Sequence, residues 1–346
     1  MTMPNAATDG RTTLMEQEAG EAAAAVAAML TANRDAFAAI GKRLRAAPPA
    51  AVVTCARGSS DHAATYAKYL IETMTGTPTA SAALSIASLY DAPAVAGNRL
   101  CLAISQSGKS PDLLAAVEQQ REAGAFVVAL VNAGGSPLAG LADVVIPLSA
   151  GLERSVAATK SYIASLAAIA ALVAAWAEDE ALDAALTALP GQLEQAFALD
   201  WSPAVAAFRG ATNLFVLGRG YGLGVAQEAA LKFKETSALH AESFSAAEVR
   251  HGPMAIVGDA FHVLAFGGSD RAAASVRDAA AEFRGRGATV LLADAEGGDL
   301  PALVAHPATQ PILMIQSFYR MASALALARG QDPDSPPHLN KVTETL

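Results

Sequence analysis

The chain has 346 residues, of which 53% are hydrophobic, and a formal net charge of −9 with a pI near 5.2. This length and composition predict about two globular domains. The acidic balance excludes a general nucleic-acid or membrane surface, so an anionic ligand would have to be bound by local donors.

The amino-terminal region carries no enzymatic motif. Residues 1–13 are expected to be disordered, and the alanine-rich residues 14–34 predict a helix. No basic stretch precedes an apolar core, so we expect no signal peptide.

Cys55 and Cys101 lie in strand-like runs without metal-type spacing. They predict buried thiols in a reducing compartment, with the cytoplasm as the default, and no metal site.

The first predicted α/β domain, residues 35–180, contains the stretch "LAISQSGKSPDLLAAV" at 102–117. An apolar strand-type run is followed by Ser105, Gln106, Ser107 and Ser110, and then by apolar residues at helical spacing. Hydroxyls at a helix start favour a phosphate or carboxylate ligand. The alternative is a plain helix cap with Ser110 as N-cap and Pro111 at the first helical position, which needs one serine but does not explain three.

A very apolar segment follows at 162–177, "YIASLAAIAALVAAWA". It is rich in alanine and shorter than the roughly 20 residues of a membrane span. The sequence predicts a buried core helix and no membrane partner.

The second predicted α/β domain, residues 200–330, repeats the first. Gly58 in "ARGSS" and Gly220 in "GRGYG" have the same separation along the chain as Ala103, which opens "AISQS", and Ala265, which opens "AFGGS". Gly124 and Gly287 add a third match, with a separation longer by a single position. Three matches in register predict two parallel sheets flanked by helices, with ligands beyond the carboxyl ends of the strands.

The stretch "LGRGYGLG" at 217–224 invites a dinucleotide interpretation. Its glycines form G-x-G-x-G-x-G rather than G-x-G-x-x-G, and no acidic residue ends the next strand. We therefore expect no nucleotide cofactor.

Residues 226–257 hold the most unusual charged pattern. Glu228, Lys232 and Glu235 project from one face of a predicted helix, where a carboxylate beside an amine in a dry cleft is suited to proton transfer. The alternative is an exposed ion-paired stripe. His251, in "VRHGP", is either structural or catalytic, and Lys341 lies in the tail at 331–346 that by itself predicts a solvated terminus.

These segments resemble the sugar isomerase (SIS) domains, and specifically the isomerase half of glucosamine-6-phosphate synthase and the stand-alone alternative glucosamine-6-phosphate deaminases. The resemblance covers the chain from about residue 15 and lies in "ARGSS", "ISQSGKSPD", "ERSVAATKSY", "QEAALKFKETSALHAESFSAAEVRHGP" and "NKVTE". It implies a phosphosugar ligand, no cofactor and a homodimer with shared active sites.

The resemblance also implies residue roles. The "SQSG" loop, with Ser105, Gln106, Ser107 and Ser110, would bind the phosphate. Ser59, Ser60 and the backbone of Val156 and Ala157 would line the sugar. Glu235 would move a proton, His251 would open the ring from a second subunit, and Lys341 would form a Schiff base. Glu228 and Lys232 would be the accompanying acid and base.

Some residues depart from the family pattern. Lys109 stands where the phosphate loop usually has Glu, Ala158 stands where Ser is usual, and Arg57 replaces a smaller residue. Residues 1–30 contain no cysteine and have no room for a glutaminase domain, so ammonia supply from glutamine is not expected.

The sequence thus predicts an amino-sugar phosphate deaminase and isomerase that converts glucosamine 6-phosphate and water to fructose 6-phosphate and ammonia. One alternative is another ketose/aldose isomerase or deglycase on the same scaffold. A second, of a different class, is a non-catalytic sugar-phosphate sensor, which would need only the serine loop.

Overall fold

The computed structural model describes residues 12–341, and its first half is built on a five-stranded parallel sheet in the order β2-β1-β3-β4-β5. The strands are β1 Ala51–Cys55, β2 Thr79–Ser81, β3 Arg99–Ser105, β4 Phe126–Val131 and β5 Val144–Pro147. The helices are α1 Leu14–Gly20, α2 Ala22–Ala46, α3 Ser59–Thr75, α4 Ser85–Ser88, α5 Pro111–Glu122, α6 Pro137–Leu141 and α7 Lys160–Ala177.

The second half contains another five-stranded parallel sheet, in the order β10-β9-β8-β6-β7. The strands are β6 Asn213–Gly218, β7 His240–Ser245, β8 His262–Phe266, β9 Thr289–Asp294 and β10 Leu300–Pro301. The helices are α8 Glu180–Ala198, α9 Ser202–Phe208, α10 Leu223–Ser237, α11 Ala273–Gly285 and α12 Gln310–Ala328. Short 3-10 turns occur at Gly220–Gly222, Glu248–Arg250 and Pro253–Ile256.

The two halves have the same topology. From the opposite edge the second sheet is β7-β6-β8-β9-β10, which matches β2-β1-β3-β4-β5. The first strands begin at Ala51 and Asn213, which have the same separation along the chain as Gly58 and Gly220. Both of these glycines follow the first strand and have positive φ, at 54° and 58°. The prediction of two parallel α/β halves is therefore confirmed, and we call two residues with this separation counterparts.

The amino-terminal helix differs from the prediction. Instead of one helix over 14–34 there are two, α1 and α2, and α2 continues to Ala46, because no proline interrupts the chain between Leu14 and Pro48. Gly41 lies inside α2, where a Cβ would stand 2.4 Å from the carbonyl oxygen of Ala175 in α7. Thr13 is ordered and caps α1 through its hydroxyl, whereas residues 1–11 of the predicted disordered segment lie outside the described residues.

Helix α7 is the central core helix. It packs against α2, α3, α8 and α12, so nearly all of its residues are buried. By length and composition α7 and α12 would each pass as a membrane span among the described residues, but 89% and 78% of their apolar windows are buried inside the molecule. The interpretation of 162–177 as a buried core helix is confirmed.

The two cysteines are buried free thiols on neighbouring strands. Cys55 ends β1, Cys101 lies in β3, and their Sγ atoms are 3.9 Å apart. The hydrogen bond with Cys55 together with burial raises the pKa of the Cys101 thiol, so this group stays protonated near neutral pH.

Candidate active site

A cavity of about 290 Å³ lies at the carboxyl edge of the first sheet, between that edge and α10 of the second half. Ten of the thirteen residues predicted for binding or chemistry line it: Ser59, Ser60, Ser105, Gln106, Ser107, Ser110, Val156, Lys232, Glu235 and Lys341. The position agrees with the general rule for parallel α/β sheets, in which ligands bind beyond the strand ends.

The serine loop connects β3 to α5. Gly108, with φ at 62°, donates its N–H to the Ser105 hydroxyl at 2.9 Å, so Ser105 shapes the loop. Ser110 is the N-cap residue and Pro111 the first helical residue, as the cap alternative requires, but the Ser110 side chain makes no capping hydrogen bond. Ser107 and Ser110 are half-buried and line the cavity. Two hydroxyls therefore remain for a ligand at the start of α5.

The start of α3 and the loop before α7 form another part of the cavity wall. Ser59 and Ser60 begin α3 directly after Gly58. The loop before α7 contributes Val156 and Ala158 to the wall, whereas Ala157 is fully buried and is not a lining residue. The predicted role of Ala157 concerns its backbone, so the burial of its side chain does not decide it and it stays a prediction.

Helix α10 carries a buried charge cluster. Lys232 is 1% exposed, and its Nζ lies 3.3 Å from Glu228 Oε1 and donates to Glu235 Oε2. It also donates to the Ser59 hydroxyl at 3.2 Å. Glu228 is fully buried behind the cavity wall, whereas Lys232 and Glu235 line the cavity. The alternative of an exposed ion-paired stripe is therefore wrong.

The charges in this cluster hold one another ionised. Burial alone would raise the pKa of Glu228, but Lys232 and the hydrogen bonds from His62 and Ser59 outweigh it and hold this pKa below its usual range. Burial would lower the pKa of Lys232, but Glu228 and Glu235 raise it well above that of a free lysine. Lys232 is therefore an ammonium donor at neutral pH rather than a base.

The sequence predictions missed two partners of Glu228. His62 Nδ1 lies 2.9 Å from Glu228 Oε2, and the Tyr319 hydroxyl donates to Oε1 at 3.3 Å. His62 follows Ser59 by three residues, which places both on one face of α3, and this spacing was a signal that could have identified it. Tyr319 comes from α12, and no local pattern indicates its contact with Glu228.

The carboxyl-terminal segment enters the cavity wall through Leu339, Asn340 and Lys341. Lys341 Nζ donates to Glu153 Oε2 at 2.9 Å and to the Ser155 carbonyl at 2.7 Å. Lys341, the last described residue, is therefore anchored to the loop before α7, whereas residues 337–340 are exposed.

Glu153 is a third residue that the predictions missed. It is almost fully buried and accepts from the Thr159 N–H at 2.9 Å and the Ser161 hydroxyl at 2.7 Å. Burial would raise its pKa, but the Lys341 charge and these hydrogen bonds lower it. The available signal was that Glu153 is the single acidic residue of the conspicuous motif "GLERSV".

His251 is not among the lining residues of this cavity. It follows the 3-10 turn Glu248–Arg250, donates its N–H to the Glu248 carbonyl at 2.9 Å and is exposed. Within the single chain, the structure therefore does not bring His251 together with Glu235 and Lys341.

Close packing explains two of the glycines in "LGRGYGLG". A Cβ on Gly218 would stand 2.4 Å from the Gly222 carbonyl oxygen, and one on Gly220 would stand 2.5 Å from Asp270 Oδ2. The Asp270 carboxylate accepts from the N–H groups of Tyr221 and Ala272, at 3.4 and 2.9 Å. A carboxylate of the chain thus stands where a dinucleotide would place its phosphates, which argues against that alternative.

Other features of the described residues add no competing site. A cavity of about 450 Å³ lies between α2, α7 and α8, but apolar residues dominate its wall and Arg34 and Asp183 are its charged residues. Within residues 12–341, no group of three or more His, Cys, Asp or Glu side chains is arranged to hold a metal ion.

Comparisons with known proteins agree with the geometry. The SIS domain profile matches residues 48–175 and 207–301, one segment in each half. The glutamine–fructose-6-phosphate aminotransferase (isomerizing) of Symbiobacterium thermophilum is 36% identical over 321 residues, which cover 86% of this chain and 52% of that protein. The chain spans about half the length of the curated relatives it matches.

Two solved structures are similar over nearly the whole chain. A protein of Silicibacter pomeroyi provisionally assigned as a phosphosugar isomerase has a TM-score of 0.89 and 45% identity, with coverage of 93% of this chain and 100% of that one. The C-terminal domain of glucosamine-fructose-6-phosphate aminotransferase from Francisella tularensis has a TM-score of 0.84 and 25% identity, with coverage of 96% and 100%. Two matched segments, one on each parallel sheet, show that this chain belongs to the SIS domain family.

Proposed function

We propose that this protein is a phosphosugar isomerase that also deaminates, converting glucosamine 6-phosphate and water to fructose 6-phosphate and ammonia. The observation that carries the proposal is the convergence of three groups on one cavity: the serine loop, the Lys232–Glu235 pair and Lys341. A phosphate, a migrating proton and an imine each need one of these groups.

The proton transfer is assigned to Glu235. In the open-chain sugar its carboxylate removes the proton from C2 and returns it to C1, while one proton of the C2 amine passes to the C1 oxygen. The aldehyde carbon becomes an alcohol and C2 becomes an imine. Lys232 donates to the Glu235 carboxylate and holds it at the cavity wall. A base fixed in this way transfers the proton between adjacent carbons without a long movement.

The loss of nitrogen is assigned to Lys341. Its unprotonated amine attacks C2 of the imine and expels ammonia, which leaves a Schiff base on Lys341. Water then hydrolyses the Schiff base to the ketone and restores the lysine. Lys341 Nζ donates to Glu153 Oε2 at 2.9 Å, a contact that holds the amine at the cavity wall.

A homodimer with shared sites is part of the proposal. His251 is exposed and does not line the cavity of its own chain, so it is available to open the sugar ring in a second copy. Mixing Glu235→Gln with His251→Ala subunits tests this arrangement. We expect about a quarter of the wild-type sites to be restored by exchange. Two variants that stay inactive after proven exchange would assign both residues to the same chain's site.

The reaction is tested with purified protein and a panel of phosphorylated sugars. Glucosamine 6-phosphate, galactosamine 6-phosphate and glucose 6-phosphate are each incubated with the enzyme while ammonia and ketose phosphate are measured. Ammonia and fructose 6-phosphate in equal amounts from glucosamine 6-phosphate support the proposal. Glucose 6-phosphate interconversion without ammonia would establish the ketose/aldose alternative, and binding of fructose 6-phosphate without turnover of any sugar would establish the sensor.

Sodium borohydride tests the Lys341 step. Added during turnover, it should reduce the imine and attach one ketose-phosphate unit to Lys341, which peptide mass spectrometry detects. Lys341→Arg retains the charge but forms no imine, and is therefore the matched control. Normal ammonia release by Lys341→Arg would leave direct attack of water on the sugar imine as the remaining route.

A further inference from the structure

Arg57 is a charged lining residue that the mechanism above does not use. It stands between β1 and Gly58, and its Nε and Nη2 donate to the same Asp112 oxygen, Oδ2, at 2.8 and 2.7 Å. Asp112 is fully buried in the first turn of α5, whereas the Arg57 side chain is 53% exposed. The guanidinium is therefore fixed beside the helix that begins directly after the serine loop.

The three cations that line the cavity differ in how many donors they have free. Lys232 directs its ammonium to Ser59, Glu228 and Glu235. Lys341 directs its own to Glu153 and Ser155. Arg57 has five N–H groups and uses two of them on one oxygen. Among residues 12–341, it is the lining cation with the most donors left for a ligand.

The Asp112 carboxylate by itself would oppose phosphate binding. It is buried at the start of α5, the end where a helix otherwise favours an anion. A second anion at this place would be repelled unless a cation lies between them. Arg57 cancels the Asp112 charge on one side and presents free N–H groups on the other, which is the donor geometry that suits a phosphate.

The second half lacks this pair. The counterpart of Arg57 is Arg219, which is exposed, and the counterpart of Asp112 is Ala274. The ion pair therefore occurs beside the serine loop and not at the equivalent turn, so it is not a general requirement of this strand-to-helix connection.

We propose that Arg57 is a phosphate-binding residue, positioned by Asp112, that makes the site selective for a phosphorylated over an unphosphorylated sugar. The inference rests on the proposed function, because it takes a sugar phosphate as the ligand of the cavity. Arg57 forms charge-assisted hydrogen bonds to the phosphate, and Asp112 contacts no substrate.

The test is calorimetric binding of fructose 6-phosphate and fructose to four variants: Arg57→Met, Asp112→Asn, the double variant and Arg219→Met as the matched control. Arg57→Met should weaken fructose 6-phosphate binding about 10-fold or more and leave fructose binding unchanged. The double variant should bind more tightly than Arg57→Met, since it removes the uncompensated carboxylate. Arg219→Met should bind both ligands as the wild type does.

Several results separate the possible failures. If the wild type binds no fructose 6-phosphate, the proposed function fails. If the wild type binds it and Arg57→Met binds equally well, the Arg57 inference alone fails. A merely structural ion pair predicts equal losses for both ligands and a lowered melting temperature in Arg57→Met and Asp112→Asn alike. Arg57→Lys, which keeps the charge, should recover part of the affinity only if the phosphate contact exists.

Discussion

The two halves share one topology and differ in what stands at the carboxyl edge of each sheet. In the first half the loop after β3 has Gly108 and opens into the cavity. In the second half the counterpart of Gly108 is Asp270, whose carboxylate accepts two backbone N–H groups. Asp294, at the end of β9, adds an ion pair with Arg277. Carboxylates of the chain thus occupy the second edge, which supports the proposal that the phosphate binds at the serine loop of the first half.

In the helices that follow β1 and β6, the charged residues are in the second half. Helix α10 carries Glu228, Lys232 and Glu235, and their counterparts in α3 are Tyr66, Leu70 and Thr73. The Tyr66 hydroxyl donates to a backbone carbonyl in the core, and Leu70 is fully buried. The site therefore combines the loop of one half with the helix of the other, and each half supplies what its counterpart lacks.

The largest effect is expected from Lys232→Met, which replaces the buried cation with an apolar side chain of similar length. Glu228 would be left as a poorly compensated buried charge, so the free energy of unfolding should fall by about 3 to 5 kcal/mol. Leu70→Met, at the corresponding position of α3, should cost less than about 1.5 kcal/mol. Urea denaturation measures both. Equal losses would mean that the charge cluster contributes no more than packing.

Glu235→Gln should lower kcat about 100-fold or more, which is about 2.7 kcal/mol in the barrier, because an amide accepts no proton. Affinity for fructose 6-phosphate and the melting temperature should stay near the wild-type values. Thr73→Ala, the corresponding change in α3, should leave kcat within about twofold. A fully active Glu235→Gln would move the proton transfer to another group, with Glu228 as the next candidate.

Ser107→Ala should raise KM for the sugar phosphate about 10-fold, because a hydroxyl donor to a charged phosphate is lost, while kcat changes less. Its counterpart in the second half, Ser269, supplies the matched control Ser269→Ala, since that loop is closed by Asp270. Steady-state kinetics measure KM and kcat for both variants. Equal increases in KM would imply two binding loops rather than one.

Acidification should have the smallest effect on the free energy of unfolding. Protonation of Glu228 should cost more stability than protonation of Asp294. Both folded-state pKa values are lowered, so each carboxylate contributes stability above its unfolded pKa of about 4, which is lost as the pH falls through the folded value. The Asp294 partner, Arg277, is one-third exposed and more screened. Between pH 7 and 3, unfolding free energies of Glu228→Gln should therefore depend less on pH than those of Asp294→Asn. A stronger pH dependence in Glu228→Gln than in Asp294→Asn would contradict the prediction.

The sequence by itself determined the two parallel α/β halves, because repeated apolar strands and helical periodicity are local patterns that persist in the fold. It also placed Glu228, Lys232 and Glu235 on one helix face and Ser107 and Ser110 at a helix start, since these relations depend only on helix geometry. The SIS family was identifiable from the same motifs, and the family profile confirms it.

The tertiary structure alone decided which charges meet. Glu153 and Lys341 are 188 residues apart, His62 and Glu228 are 166 apart, and Arg57 reaches Asp112 across 55. The length of α2 and the position of Ala158 in the cavity wall were also unpredictable. Such contacts follow from how helices pack between two sheets, and local sequence periodicity carries no information about the packing of remote segments.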